Sequence, residues 1–234
     1  MIPREELLLA LRHPQVIPFF WNKREAIRKI VEVEIYRSQR EWENQVSRSN
    51  LAEVVGLSKV HWTFQQTLLY SVCRFMKPNI VVETGVDYGV SSAFILQALE
   101  DNQAGMLYSI DLPDVEYAAP FRHNYKDLPL PKGANLGFVV PSRLRHRWKL
   151  TIGDSRVELP VLLNSVTKID FFFHDSMHTY DHMMFEYETA YPFIKRGGVI
   201  ASDDIHWNSA FDDFCKTHDL ETIKRHAKGF AIAK

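Results

Sequence analysis

The chain has 234 residues, 46% hydrophobic and 12% aromatic, enough to bury one sizeable α/β core and a small appendage but not several domains. Lys and Arg (28) nearly balance Asp and Glu (29), leaving a formal charge of -1, so nothing global favours nucleic acid or an anionic membrane as partner, and a small neutral molecule fits better. Only two cysteines occur, Cys73 and Cys215, each in a predicted helix, which argues for a reducing compartment and against a disulfide scaffold or a cysteine-based zinc site.

The first residues, Met-Ile-Pro-Arg-Glu-Glu, place acidic side chains ahead of any apolar stretch and do not read as a secretory signal. No segment has the apolar length of a membrane helix, so no membrane association and a cytoplasmic location are expected. Residues 1–58 are rich in Leu, Arg and Glu without strand-like alternation and read as two or three helices forming a cap, with Phe19, Phe20 and Trp21 packing it onto the core. Such a cap serves stability or a homo-oligomer contact, or forms one wall of a substrate pocket. Residues 59–234 form the main domain.

It opens with an amphipathic helix from Lys59 through Met76, followed by a strand at Ile80–Thr84, a helix at Ser91–Leu99 and a strand at Met106–Asp111. Further strands are expected at Trp148–Ile152, Ile169–His174 and Gly198–Ser202, with helices near Arg156–Leu163 and Tyr180–Ile194. Glu221–Arg225 and Phe230–Ala233, joined by a turn around Ala227-Lys228-Gly229, read as a terminal antiparallel hairpin. Alternating strands and helices predict a Rossmann-like, doubly wound α/β fold: a mostly parallel seven-stranded sheet, the C-terminal hairpin and the N-terminal cap. Five prolines break up the 112–147 segment, which reads as a lid or substrate-recognition insert beside the expected ligand. Its end carries Arg143, Arg145, His146, Arg147 and Lys149, either a solvated basic face or a contact for an acidic substrate.

The first strand ends Glu83-Thr84-Gly85-Val86-Asp87-Tyr88-Gly89. Gly85 and Gly89 permit positive φ and close approach to the backbone, and the helix N-terminus at Val90-Ser91 presents free N–H groups. A dinucleotide fingerprint would need glycine where Asp87 stands, and its carboxylate would repel a pyrophosphate. The E-x-G-x-x-x-G pattern with Glu83 resembles the first motif of class I S-adenosylmethionine (SAM) dependent methyltransferases, whose cofactor is cationic and carries no phosphate. The resemblance implies that this loop, with Glu83, Gly85, Tyr88, Gly89 and Ser91, cradles the cofactor. A reversed last strand is also a feature of that family.

Asp111, ending the second strand, offers two oxygens to a vicinal diol, and the resemblance makes it the ribose ligand. Gly153-Asp154-Ser155 after the third strand is similar to the family's adenine-reading segment, while Asp154 is equally a helix N-cap. The fourth strand delivers His174 and Asp175 at its carboxyl end. Through Ser176-Met177-His178-Thr179-Tyr180 it resembles the Asp-Gly-Asp-His-Ser-Tyr motif of small-molecule O-methyltransferases related to the macrocin O-methyltransferases. The next strand ends Ala201-Ser202-Asp203-Asp204, again resembling that branch, which often has Asp-Asp there.

Asp175, Asp203 and Asp204 would converge at adjacent strand ends, where hard oxygen ligands suit Mg²⁺ or Ca²⁺, and a metal there would lower the pKa of a substrate hydroxyl. The alternative is a hydrogen bond from Asp175 to the cofactor amine, and helix capping by Asp203 or Asp204. His178, with an ordinary pKa near 6.5, is the candidate general base beside Asp175. His174, His178 and His182 recur at helical spacing as zinc ligands would, but His174 lies on a predicted strand, so the three need not share a face. Tyr88, Trp207 and Asn208 are candidates to line the pocket, each equally a packing residue.

The implied activity is methyl transfer from SAM to a small-molecule hydroxyl, with Mg²⁺ assistance as an option. A metal-dependent hydroxylase or hydrolase on a similar scaffold, and a catalytically silent SAM-binding protein, are the competing readings. The acceptor's identity lies in the cap and the insert, where nothing recognisable stands.

Overall fold

The computed structural model describes residues 64–112, 135–225 and 227–234, so the expected cap and most of the insert lie outside the described residues. Helix α1 (Phe64–Met76) leads into β1 (Ile80–Thr84), α2 (Val90–Asp101) and β2 (Met106–Asp111). After the insert come a 3-10 turn (Ser142–Arg147), β3 (Trp148–Ile152), α3 (Ser155–Val166), β4 (Ile169–His174) and α4 (Tyr180–Ala190). A second 3-10 turn (Tyr191–Phe193), β5 (Ile194–Ser202), α5 (Ala210–Thr217), β6 (Glu221–Arg225) and β7 (Lys228–Ile232) complete the order.

The sheet runs β3-β2-β1-β4-β5-β7-β6. Strands β1 to β5 are parallel, and β7 inserts antiparallel between β5 and β6. The doubly wound, mostly parallel seven-stranded fold is therefore as the sequence leads one to expect. Strand order reverses at β1, whose neighbours are β2 on one side and β4 on the other, and in such sheets ligands sit outside the carboxyl ends at the reversal.

Side chains alternate across the sheet and build a core on each face. Val81, Phe171, Phe173, Val199 and Phe230 pack with α1 and α2, while Val82, Phe172, Ile200 and Ala231 pack with α3, α4 and α5. Cys73 and Cys215 are free, buried and on opposite cores, behaving as the small hydrophobes expected.

Several boundaries differ from expectation. Helix α4 stops at Ala190 because Pro192 lacks the N–H needed to continue it, and Ile194 already opens β5, four residues ahead of the expected Gly198. Helix α3 runs on to Val166 despite Pro160 inside it. Lys228, expected in the hairpin turn, is the first residue of β7.

The insert's end is structural. Gly137 N–H donates to the Asp87 carbonyl (2.8 Å) and Val139 N–H to the Tyr88 carbonyl (3.1 Å), while Phe138, Val139, Val140 and Leu144 join the core. Its basic side chains are engaged within the protein. Arg147 pairs with Glu100 (2.6 Å), Arg143 donates to Gln97 (2.5 Å), and Arg145 donates to the Gly137 carbonyl (2.7 Å) and lies over Trp148.

Candidate active site

The turn after β1 is held from both sides. The Asp111 carboxylate accepts from the N–H groups of Val86 and Asp87 through Oδ2 (2.8 Å each) and of Leu112 through Oδ1 (2.8 Å). On the other side, a β-carbon on Gly85 (φ +83°) would lie 2.1 Å from the Asp175 carbonyl oxygen, so the loop after β4 presses against a backbone that only glycine permits. Gly89 (φ +92°) is likewise approached at 2.7 Å by Gly137 and Val140. Positive φ is as expected at both glycines; the close approach is made by the protein's own backbone and side chains. Asp87, standing in for the missing glycine, takes φ +48°, a conformation Asp tolerates.

Glu83 lies beneath this turn, fully buried, with Oε2 accepting from Ser92 and Ser109 (2.7 Å each) and Oε1 without a hydrogen-bond partner. Burial pushes its carboxyl up to about 7 against the two serine bonds. Tyr88 is buried edge-on to Phe138 (5.3 Å) and belongs to the core that packs on α1 and α2. Ser91 Oγ donates to Asp175 Oδ2 (3.3 Å). Asp154 caps α3, accepting from Arg156 N–H (2.8 Å), as one of the two expectations for it had it. The Ser155 hydroxyl is turned inward onto His182 (3.0 Å).

At the carboxyl ends of β4 and β5 the strand registers bring Thr84, His174 and Ser202 side by side. Thr84 and His174 face α4, where Glu186, fully buried, accepts four donors. These are Thr84 Oγ1 (2.5 Å), His174 Nδ1 (2.6 Å), Ser176 Oγ (2.8 Å) and His182 Nε2 (2.9 Å). Burial alone would raise the Glu186 carboxyl, but its bonds and charge interactions with His174 and His182 hold it well below the carboxylate range. An ionised carboxylate only accepts, so Nδ1 of His174 carries its proton, and the buried Nε2 is left without a partner. Ser155, His182 and Glu186 look like a nucleophile, base and acid. However, both the serine and the glutamate fall on the same Nε2, so no charge relay of the hydrolase kind is assembled.

His178 sits in the loop after β4 with its ring against Trp207 (4.9 Å) and edge-on to His174 (5.1 Å). Its Nε2 is buried without a hydrogen-bond partner, 3.9 Å from Asp175 Oδ1. Burial and the neighbouring His174 push its pKa down to about 3, so the ordinary value near 6.5 that recommended it as a base does not survive in this environment. Asn208 donates to the His178 carbonyl (3.1 Å) and fixes that loop. Asp175 moves the other way: burial and the adjacent Asp203 raise its carboxyl well above the usual range.

The three expected metal ligands do reach adjacent strand ends, but Asp203 is already engaged. Its Oδ2 accepts from Lys228 Nζ (2.6 Å) and its Oδ1 from the Asp204 N–H (2.9 Å). Burial would raise Asp203, and the Lys228 ammonium overcomes it and holds the carboxyl low. Among the described residues no three or more His, Cys, Asp or Glu side chains are grouped so that they could hold a metal ion, the Asp175, Asp203, Asp204 set and the His174, His178, His182 trio included. The donor set therefore does not fit Mg²⁺ or Ca²⁺. A positive charge seated beside the partly exposed Asp175 would lower its raised carboxyl.

Sequence reasoning missed Glu186 and Lys228. Glu186 lies in the buried stripe His182, Met183, Glu186, Tyr187, Ala190 of α4, so an acid at a core position of the helical repeat was the available signal. For Lys228 the signal was weaker, a lone charge heading an otherwise buried strand.

A family model described as a methyltransferase domain matches residues 82–205, just over half of the chain. No curated protein matches. Among solved structures the chain is similar to an O-methyltransferase from Bacillus cereus in complex with SAH, at 12% identity over 87% of this chain and 100% of that one (TM-score 0.56). It is similar to the O-methyltransferase from Streptomyces achromogenes involved in tomaymycin synthesis, in complex with SAM (14% identity, 87% and 96% covered, TM-score 0.52). A calicheamicin methyltransferase is similar at 17% identity, with 86% and 91% covered (TM-score 0.51). At these identities the likeness is one of fold.

Proposed function

Because the chain belongs to the methyltransferase domain family, we propose that it transfers a methyl group from S-adenosylmethionine to a hydroxyl oxygen of a small molecule. The observation that carries this reading is the carboxyl-lined turn at the reversal of strand order. There Gly85 is clamped between the Asp111 and Asp175 segments, and Asp175 has a raised pKa that a cationic ligand would relieve. When bound, SAM supplies a methyl group on a positively charged sulfur, and its transfer leaves the neutral thioether S-adenosylhomocysteine. Asp111 would hold the ribose through the lone pairs not used by the turn, and Asp175 with Ser91 would face the charged amino-acid end. His178, neutral across the physiological range, would orient the acceptor hydroxyl with its unpartnered Nε2, and Asp175, 3.9 Å away and the stronger base of the two, would take the proton. Most of the acceleration would come from holding acceptor and cofactor in line. The reading includes no divalent ion, and a cytoplasmic setting is its natural companion.

Isothermal titration with S-adenosylhomocysteine in the presence of chelator tests it. Micromolar binding to the wild type, weakened by about tenfold or more in Asp111→Ala, is expected, about 1.4 kcal/mol or more of lost contact. Absence of binding to the folded wild type would overturn it. A panel of phenols and aliphatic alcohols with labelled SAM then identifies the acceptor class.

A further inference from the structure

We propose that Lys228 is the resident cation of the carboxylate cluster, taking at Asp203 the place of a divalent metal, so that the site excludes Mg²⁺. The proposal deepens the methyl-transfer reading and rests on it for the use to which the site is put.

The placement follows from the hairpin. Strand β7 pairs antiparallel with β5 at Ser202↔Gly229, so Lys228 lies one residue further on, level with Asp203 beyond the end of β5. Its side chain is fully buried, with Nζ 2.6 Å from Asp203 Oδ2 and 4.8 Å from the centroid of Phe173. Phe173 pairs in register with Glu83 on β1, so the aromatic face lies between the hairpin and the glycine turn. Burying a cationic side chain is costly unless it is paired, and Lys228 meets both a carboxylate and an aromatic face.

Asp203 then has donors on both oxygens, Lys228 on Oδ2 and the Asp204 N–H on Oδ1. A divalent ion would have to displace one of these and would meet the ammonium at close range in a poorly screened setting. The reach of the charge is wider than Asp203. Burial pushes Asp175 and Glu83 up, and the same ammonium pulls against it at each. Lys228 is thus a positioning residue that acts through Asp203, keeping it ionised and fixed.

The test reads bound Mn²⁺ by electron paramagnetic resonance on the full chain, with activity followed in parallel. The wild type and Lys228→Arg should hold no stoichiometric Mn²⁺, whereas Lys228→Met, with Asp203 uncompensated, should bind it about tenfold or more tightly than the wild type. Should Lys228→Met fail to fold, the neutral pair Lys228→Met with Asp203→Asn should recover a folded, Mn²⁺-silent protein, and its failure to do so would count against the proposal. Stoichiometric Mn²⁺ on the wild type that vanishes in Asp203→Asn would overturn it, as would a folded Lys228→Met that binds Mn²⁺ no better than the wild type. The metal measurement on the wild type does not depend on S-adenosylhomocysteine binding, so the two proposals fail separately.

Discussion

Gly85 is the residue on which the turn depends: an added methyl would sit 2.1 Å from the Asp175 carbonyl oxygen at a φ of +83°. Gly85→Ala should lower the thermal midpoint markedly and abolish cofactor binding, because the loops after β1 and β4 must separate to admit it. Glu83 gives a signature in pH. Its folded pKa of about 7 lies above the ordinary carboxylate value, so the folded state holds a proton that the unfolded chain has released, and stability falls as pH rises through that window. The loss approaches roughly 3 kcal/mol by pH 8, and Glu83→Gln should flatten the decline in denaturation midpoints measured between pH 5 and pH 8. His178 acts with the opposite sign. Its folded pKa of about 3 means that the unfolded state binds a proton first, so stability is lost as pH falls below about 6.5, and His178→Gln should remove that acid limb.

Among the elements, α3 is the simplest to perturb. Asp154 supplies its N-cap bond, and Asp154→Ala should cost about 1 kcal/mol in chemical denaturation. The elements were also the most legible level. Strands β1 to β4 could be placed to the residue because each is a short β-branched or aromatic run bounded by glycine, proline or polar residues, and these local signals need no tertiary partner. The start of β5 could not: Ile194-Lys195-Arg196 reads as the tail of a helix, and only pairing with Ile169 draws it into the sheet. The site was half legible for the same reason. Asp111, Asp175 and Asp203 stand at strand ends, where the fold itself marks them, but whether a carboxylate meets a metal or an ammonium depends on what lies 25 residues away, as Lys228 does from Asp203. His178 illustrates the limit further, since the burial that displaces its pKa is a property of Trp207 and His174 packed around it.

Across the whole molecule, Glu186 ties the layers together, joining β1 through Thr84, β4 through His174 and α3 indirectly through His182 and Ser155. Glu186→Ala removes the acceptor shared by four donors, with Thr84 and His174 fully buried, and should destabilise by about 3–5 kcal/mol, read as a shift in urea midpoint with an unchanged slope. The reversal of strand order at β1 also has a bearing on the sequence of events in assembly. Ile80 meets its β2 partner Met106 after 26 residues, but Val81 waits 90 residues for Phe171, and the Thr84 to Glu186 bond closes a span of 102. The central strand can therefore zip to one neighbour early while its other edge stays open, so the arrival of β4 is expected to be the slow step in refolding, read as a lag in β4 amide protection behind β1 and β2. The turn that would cradle the cofactor is clamped only then, making ligand competence a late event on the pathway rather than a property of the first half to form.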